Sequence, residues 1–66
     1  MKSYRLLVHE VRGGSPLELD AEMARDERVI EFCVERLARS PQIASIEVWS
    51  RDRQLCHLYS EAREAA

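Results

Sequence analysis

The sequence predicts an α+β fold of order β-α-β-β, a three-stranded antiparallel sheet in the order 1-3-2 with one helix packed on one face. Three observations carry that expectation. "SYRLLVHEV" alternates apolar and polar residues and stops at Arg12-Gly13-Gly14, the pattern of a strand followed by a breaker. A long stretch after it repeats apolar residues at helical spacing. "IASIEVWS" and "QLCHLYSE" are short runs rich in β-branched and aromatic residues on either side of the polar "RDR", as in a hairpin.

The helix is expected from about Asp20 to Arg39. Ser15, Pro16 and Glu18 have the order of a capping box with proline at the first helical position, and Asp20 is a rival cap one turn later. Ser40-Pro41 ends the element, because the residue before proline avoids helical angles. At roughly 100° per residue, Leu19, Met23, Ile30, Cys33, Val34 and Leu37 fall on one stripe, which is the expected core face. Phe32 lies nearly opposite that stripe and Val29 to its side.

In the hairpin, a three-residue loop over Arg51 to Arg53 pairs Ile46 with Leu58 and Val48 with Cys56, giving one coherent apolar face. The same register sets Trp49 opposite Leu55 and Glu47 opposite His57 on the other side, since side chains alternate along a strand. A two-residue loop would scatter the apolar residues across both faces. Placing the last strand between the other two makes every neighbour antiparallel, and the result is half of a ferredoxin-like arrangement. Residues 61–66 read as a frayed tail or a short helical extension of a single small domain spanning 1–66.

A chain of 66 residues sits near the size at which one core only just offsets chain entropy. Such a chain needs support from disulfides, a metal or self-association. Cys33 and Cys56 are too few for a secreted disulfide framework, and no CxxC or CxxH spacing is present. Self-association is the support that remains. The charged, alternating N-terminus lacks the uninterrupted apolar core of a signal peptide, so a soluble cytoplasmic protein with no membrane partner is expected. Ten basic against twelve acidic residues give a net charge of -2, which argues against a general nucleic-acid binder.

One helix covers one face of such a sheet. The other face would carry Leu7, Trp49, Leu55, His57 and Tyr59, joined by His9 and Val11, and soluble monomers seldom leave so large a patch open. The expected partner is a second copy of the chain in a homodimer, the commonest assembly. A different protein partner is the other candidate occupant.

Two further constellations bear on chemistry. In the expected topology the loop Arg12-Gly13-Gly14-Ser15 and the turn holding Arg51 and Arg53 share the sheet end from which the helix starts. There they would ring free backbone N–H groups and suit a phosphate or carboxylate. The plain alternative is an ordinary strand-to-helix turn whose arginines pair with Glu18, Asp20 and Asp52. His9, His57 and Glu47 share the open face on three strands, and two histidines with a carboxylate can bind a divalent metal or run acid–base chemistry. Solvated or interface histidines are far commoner, so the sequence alone assigns no metal, no cofactor and no catalytic residue. Both cysteines point to the core and read as small buried hydrophobes.

The chain's length and βαβ opening resemble those of small tautomerases. These use an N-terminal proline exposed after methionine removal, whereas Lys2 follows Met1 here, so the resemblance stops at the residue that would carry the chemistry. Trp49 and Tyr59 stand beside Glu47 without a "GFGFV"-like run, which separates the sheet from RNA-binding modules of the RNP type. The expected role is that of a small non-enzymatic dimerising interaction or regulatory module, with a small-ligand or anion-binding protein as the alternative.

Overall fold

A computed structural model describes residues 1–60 of the chain, so the expected tail over 61–66 lies outside the described residues. The described residues form strands β1 (Lys2–Glu10) and β2 (Leu17–Met23), helix α1 (Asp26–Arg39), and strands β3 (Ile43–Ser50) and β4 (Arg53–Tyr59). The strands make one sheet in the order β2-β1-β3-β4, with every neighbouring pair antiparallel. The α+β class and the single helix stand, but the expected three strands in the order 1-3-2 are replaced by four.

The difference comes from "LELDAEM". Its Leu, Glu, Ala and Met favour helix by propensity, yet Leu17, Leu19, Ala21 and Met23 alternate strictly with Glu18, Asp20 and Glu22, which is the period of a strand. The pairing Tyr4↔Ala21 and Leu6↔Leu19 places that apolar set on the same side of the sheet as the apolar residues of β1. Gly13 and Gly14 belong to the β1–β2 turn, not to a strand-to-helix turn. Both have positive φ (87° and 94°), a backbone region that a β-carbon disfavours.

Inserting β2 reverses the chain once more before the helix. The helix therefore starts at the end of the sheet where β1 begins, and returns the chain so that β3 runs antiparallel beside β1. A backbone hydrogen bond from the Val11 N–H to the Gln42 carbonyl (2.8 Å) joins the two loops at the far end.

The helix is shorter than expected because its first six residues are partly strand and partly connection. Asp26 and Glu27 occupy its first turn and Arg36 and Arg39 its last, each sign suited to the dipole end it meets. The Ser40 N–H closes the last turn on the Arg36 carbonyl at 3.0 Å, and Pro41 follows. Val29, Cys33 and Leu37 are its buried residues, one turn apart, with Ile30 packed at the side. Val34, expected in the core, is 51% exposed, while Val29 is fully buried. Leu19 and Met23 turn the expected stripe toward Val34, but those two residues belong to the sheet. The Phe32 ring is 39% exposed, with the Arg36 guanidinium 5.7 Å from its centroid.

The helix stripe packs on Tyr4, Leu6 and Val8 of β1 and Ile43, Ile46 and Val48 of β3, with Cys56 and Leu58 of β4 partly buried against them. Every buried side-chain polar atom among the described residues has a hydrogen-bond partner.

Candidate functional site

The helix covers one side of the sheet, and alternation sends the intervening residues to the other. In β3 that open side takes Ser45, Glu47 and Trp49, and the register brings Arg5, Leu7 and His9 of β1 and Gln54, His57 and Tyr59 of β4 beside them. Glu18, Asp20 and Glu22 of β2 complete the face along one edge. Arg5 lies 3.9 Å from both the Glu18 and the Asp20 carboxylate.

The β3–β4 hairpin reaches this arrangement by an unexpected route. Its turn holds two residues, Arg51 and Asp52, with Ser50 paired to Arg53 and Trp49 to Gln54. A bulge then skips Leu55, and the register resumes at Val48↔Cys56, Glu47↔His57 and Ile46↔Leu58. The expected apolar pairs therefore form through a short turn plus a bulge rather than a three-residue loop. Leu55, expected opposite Trp49 on the open face, packs instead against the core. Leu7, Trp49, His57 and Tyr59 lie on the open side as expected.

At the centre of the face stand both histidines of the chain. His9 Nε2 donates to Glu47 Oε2 at 2.6 Å, while the Trp49 indole N–H and the Gln54 amide each donate to Glu47 Oε1 at 3.1 Å. These bonds favour the ionised carboxylate, so the Glu47 carboxyl is held below its ordinary range, first by His9 and then by Trp49. His57 Nε2 meets Ser45 Oγ at 3.0 Å and its Nδ1 meets the Tyr59 hydroxyl at 3.1 Å. The Tyr59 ring stacks on His57 at 4.3 Å between centroids, and His57 lies 5.8 Å from His9. Ligand-capable atoms of His9, Glu47 and His57 all fall within 4.8 Å of one another.

Sequence reasoning placed these three residues on one face but missed what orients them. Ser45 and Gln54 carried no motif. The signal for Ser45 is its two-residue spacing from Glu47, whereas Gln54 stands opposite Trp49 because the turn holds two residues rather than the expected three, with the bulge restoring the apolar register after it.

The expected anion site does not assemble. Arg12, Gly13, Gly14 and Ser15 sit at the β1–β2 turn, while Arg51 and Arg53 sit at the β3–β4 turn. Because β3 runs antiparallel to β1, these turns occupy opposite ends of the sheet, about 20–25 Å apart at strand spacing. Near Arg51 and Arg53 a hollow of about 550 Å³ also takes in Lys2, Asp26 and Asp52, so carboxylates stand among its cations.

Cys33 is fully buried and Cys56 half-buried, both free. Burial pushes the Cys33 thiol up to about 11, with the neighbouring Cys56 adding to the shift, and burial raises Cys56 as well. Neither thiol has the character of a nucleophile.

No helix among the described residues is long and apolar enough to cross a membrane. Comparison with protein-family models, with curated proteins and with solved structures finds no match to this chain.

Proposed function

We propose that this chain is a non-enzymatic interaction module that pairs with a second copy of itself through the open face of its sheet. The observation that carries the reading is the side of β3 facing away from the helix. There half-buried Trp49 has Leu7 diagonally beside it on β1, Tyr59 stands toward the other end of the same face, and no element of the described residues lies over it. Tryptophan, tyrosine and arginine are the residue types that anchor interfaces, and this face holds one of each in Trp49, Tyr59 and Arg5.

A second copy suits the face better than an arbitrary partner because the face is self-complementary in charge. A two-fold axis parallel to the strands would lay the acidic row Glu18, Asp20 and Glu22 of one copy over the β4 row Gln54, His57 and Tyr59 of the other. Carboxylates would then meet hydrogen-bond donors in both directions. The helix offers two exposed large apolar residues among those described. Its exposed Phe32 and Val34 are two residues apart, hence on opposite flanks of the helix, and Arg36 lies over the Phe32 ring.

Four strands about 4.8 Å apart and seven residues of about 3.4 Å each give a flat footprint of roughly 450 Å². That is below the roughly 800 Å² per partner of a standard interface, so the pair should dissociate on dilution. Light scattering across a micromolar to millimolar series tests it. The expected mass rises from one chain toward two, and Trp49→Lys holds the chain at one while leaving its circular dichroism unchanged. A wild-type mass of one chain throughout the series would rule the proposal out.

A further inference from the structure

We infer that His9, Glu47 and His57 form a binding site for one divalent transition-metal ion, of which zinc is the representative, on the open face of the sheet. All three ligands come from a single chain, and because they share the open face with the pairing proposed above, the ion binds the unpaired chain and the titration is run at concentrations where the pair is dissociated.

The argument starts from register. Glu47 and His57 are direct cross-strand partners, and His9, paired with Ser45, stands diagonally across β3 from His57's strand. Three adjacent strands thus aim one ligand each at the same point. Strands hold such groups more firmly than loops would. Two imidazoles and one carboxylate are a donor set that binds zinc and its first-row neighbours.

The distances allow it. Zinc–nitrogen bonds of about 2.0–2.1 Å in a tetrahedral site put neighbouring ligand atoms roughly 3.3 Å apart. The three groups here already lie within 4.8 Å, and His9 Nε2 to Glu47 Oε2 is 2.6 Å. An ion takes the place of the proton between those two atoms, the pair opens by less than an ångström, and neutral His9 carries its proton on Nδ1 instead. His57 gives up one of its two hydroxyl contacts and closes on the ion.

The surroundings supply the orientation that a ligand set needs. Trp49 and Gln54 both donate to Glu47 Oε1, which leaves Oε2 for the ion and fixes the plane of the carboxylate. Ser45, only 5% exposed, and Tyr59 bracket the His57 ring, so whichever nitrogen binds the ion, the other keeps a hydroxyl partner. Three protein ligands leave a fourth position for water on the side where no helix lies. Both cysteines, the usual rivals for zinc, are on or near the core side, away from the site.

Zinc titration of the ¹⁵N-labelled full chain, followed by the imidazole nitrogen resonances, tests the site without any substitution. Resonances of both histidines should move together and saturate at one ion per chain, with micromolar affinity by calorimetry. His9→Ala, His57→Ala and Glu47→Gln should each weaken binding by more than about 100-fold, beyond the roughly 10-fold expected of the supporting change Tyr59→Phe. The double variant Cys33→Ser/Cys56→Ser should bind as the wild type does. Imidazole signals that stay in place with excess zinc would overturn the inference. So would affinity that survives Glu47→Gln intact or disappears with the cysteines.

Discussion

The Tyr4 hydroxyl donates a 2.5 Å hydrogen bond to Asp26 Oδ1, tying the first strand to the first turn of the helix across 22 residues of chain. Lys2 adds its ammonium at 3.6 Å from the same oxygen. The Tyr4 bond, ahead of the Lys2 charge, holds the Asp26 carboxyl below its ordinary range. Burial first, then the Asp26 contact, pushes the Tyr4 phenol up to about 12.

The signs of these shifts fix a pH dependence. Asp26 has a lowered folded value, so its contribution is present above the unfolded value of about 3.9 and is lost as pH falls through the folded one. Tyr4 has a raised folded value, so its contribution is complete below the unfolded value of about 10 and is lost as pH rises through about 12. Urea melts of wild type and Tyr4→Phe should therefore differ most between these limits, with the gap closing at both the acid and the alkaline end. A gap independent of pH would show that the bond contributes nothing.

Core truncations should separate the sheet core from the exposed flank of the helix. Leu6 and Ile46 are 2% and 1% exposed, and cutting either to Ala typically costs about 2–5 kcal/mol, comparable to the roughly 3–5 kcal/mol that so small a core supplies. Both variants should be largely unfolded at physiological temperature. Val34→Ala should change stability by about 0.5 kcal/mol or less. Circular dichroism melts decide it, and an equal cost at Val34 would contradict the observed helix face.

How much of this was legible in the sequence depended on which signal was allowed to win. Tyr4, Leu6 and Val8 announce β1 by alternation, and Ile46, Val48, Cys56 and Leu58 announce the second hairpin and its register. The segment Leu17 to Met23 also alternates, but its residues are strong helix formers next to a true helix, and a Ser-Pro pair before it imitates a helix start. Tertiary pairing with β1 overrides that local preference, and pairing partners are not visible locally. Without β2 the expected topology brings the two arginine-bearing turns to one end of the sheet, whereas they lie at opposite ends. The His9, Glu47 and His57 grouping survived because side-chain alternation depends only on each strand's own sequence.

The tight turn makes its own prediction. Arg51 has a φ of 62°, where a β-carbon costs about 1–2 kcal/mol, and the first central residue of such hairpin turns is commonly glycine. Arg51→Gly removes that cost and loses about 0.5–1 kcal/mol to the greater freedom of the unfolded chain. The variant should be more stable than wild type by roughly 0.5 kcal/mol, read as a higher denaturant midpoint. A lower midpoint would mean that the Arg51 side chain contributes more than its backbone costs.

The thiols should differ in reactivity. Cys33 is fully buried with its thiol raised to about 11, so a disulfide reagent at neutral pH should label it no faster than the chain opens. Half-buried Cys56 should react first. Mass spectrometry of timed samples gives the order, and prompt labelling of Cys33 in the native state would contradict the packing described.

The central claim is that the open sheet face is where two copies meet. Its most direct test is an isotope-filtered nuclear Overhauser experiment on a millimolar mixture of labelled and unlabelled chains. Contacts between copies should run from Leu7 of one chain to the β3 row of the other, from Trp49 to the β1 row and from Tyr59 to the β2 row. Contacts confined to Phe32 and Val34 on the helix, or none between copies at that concentration, would contradict it.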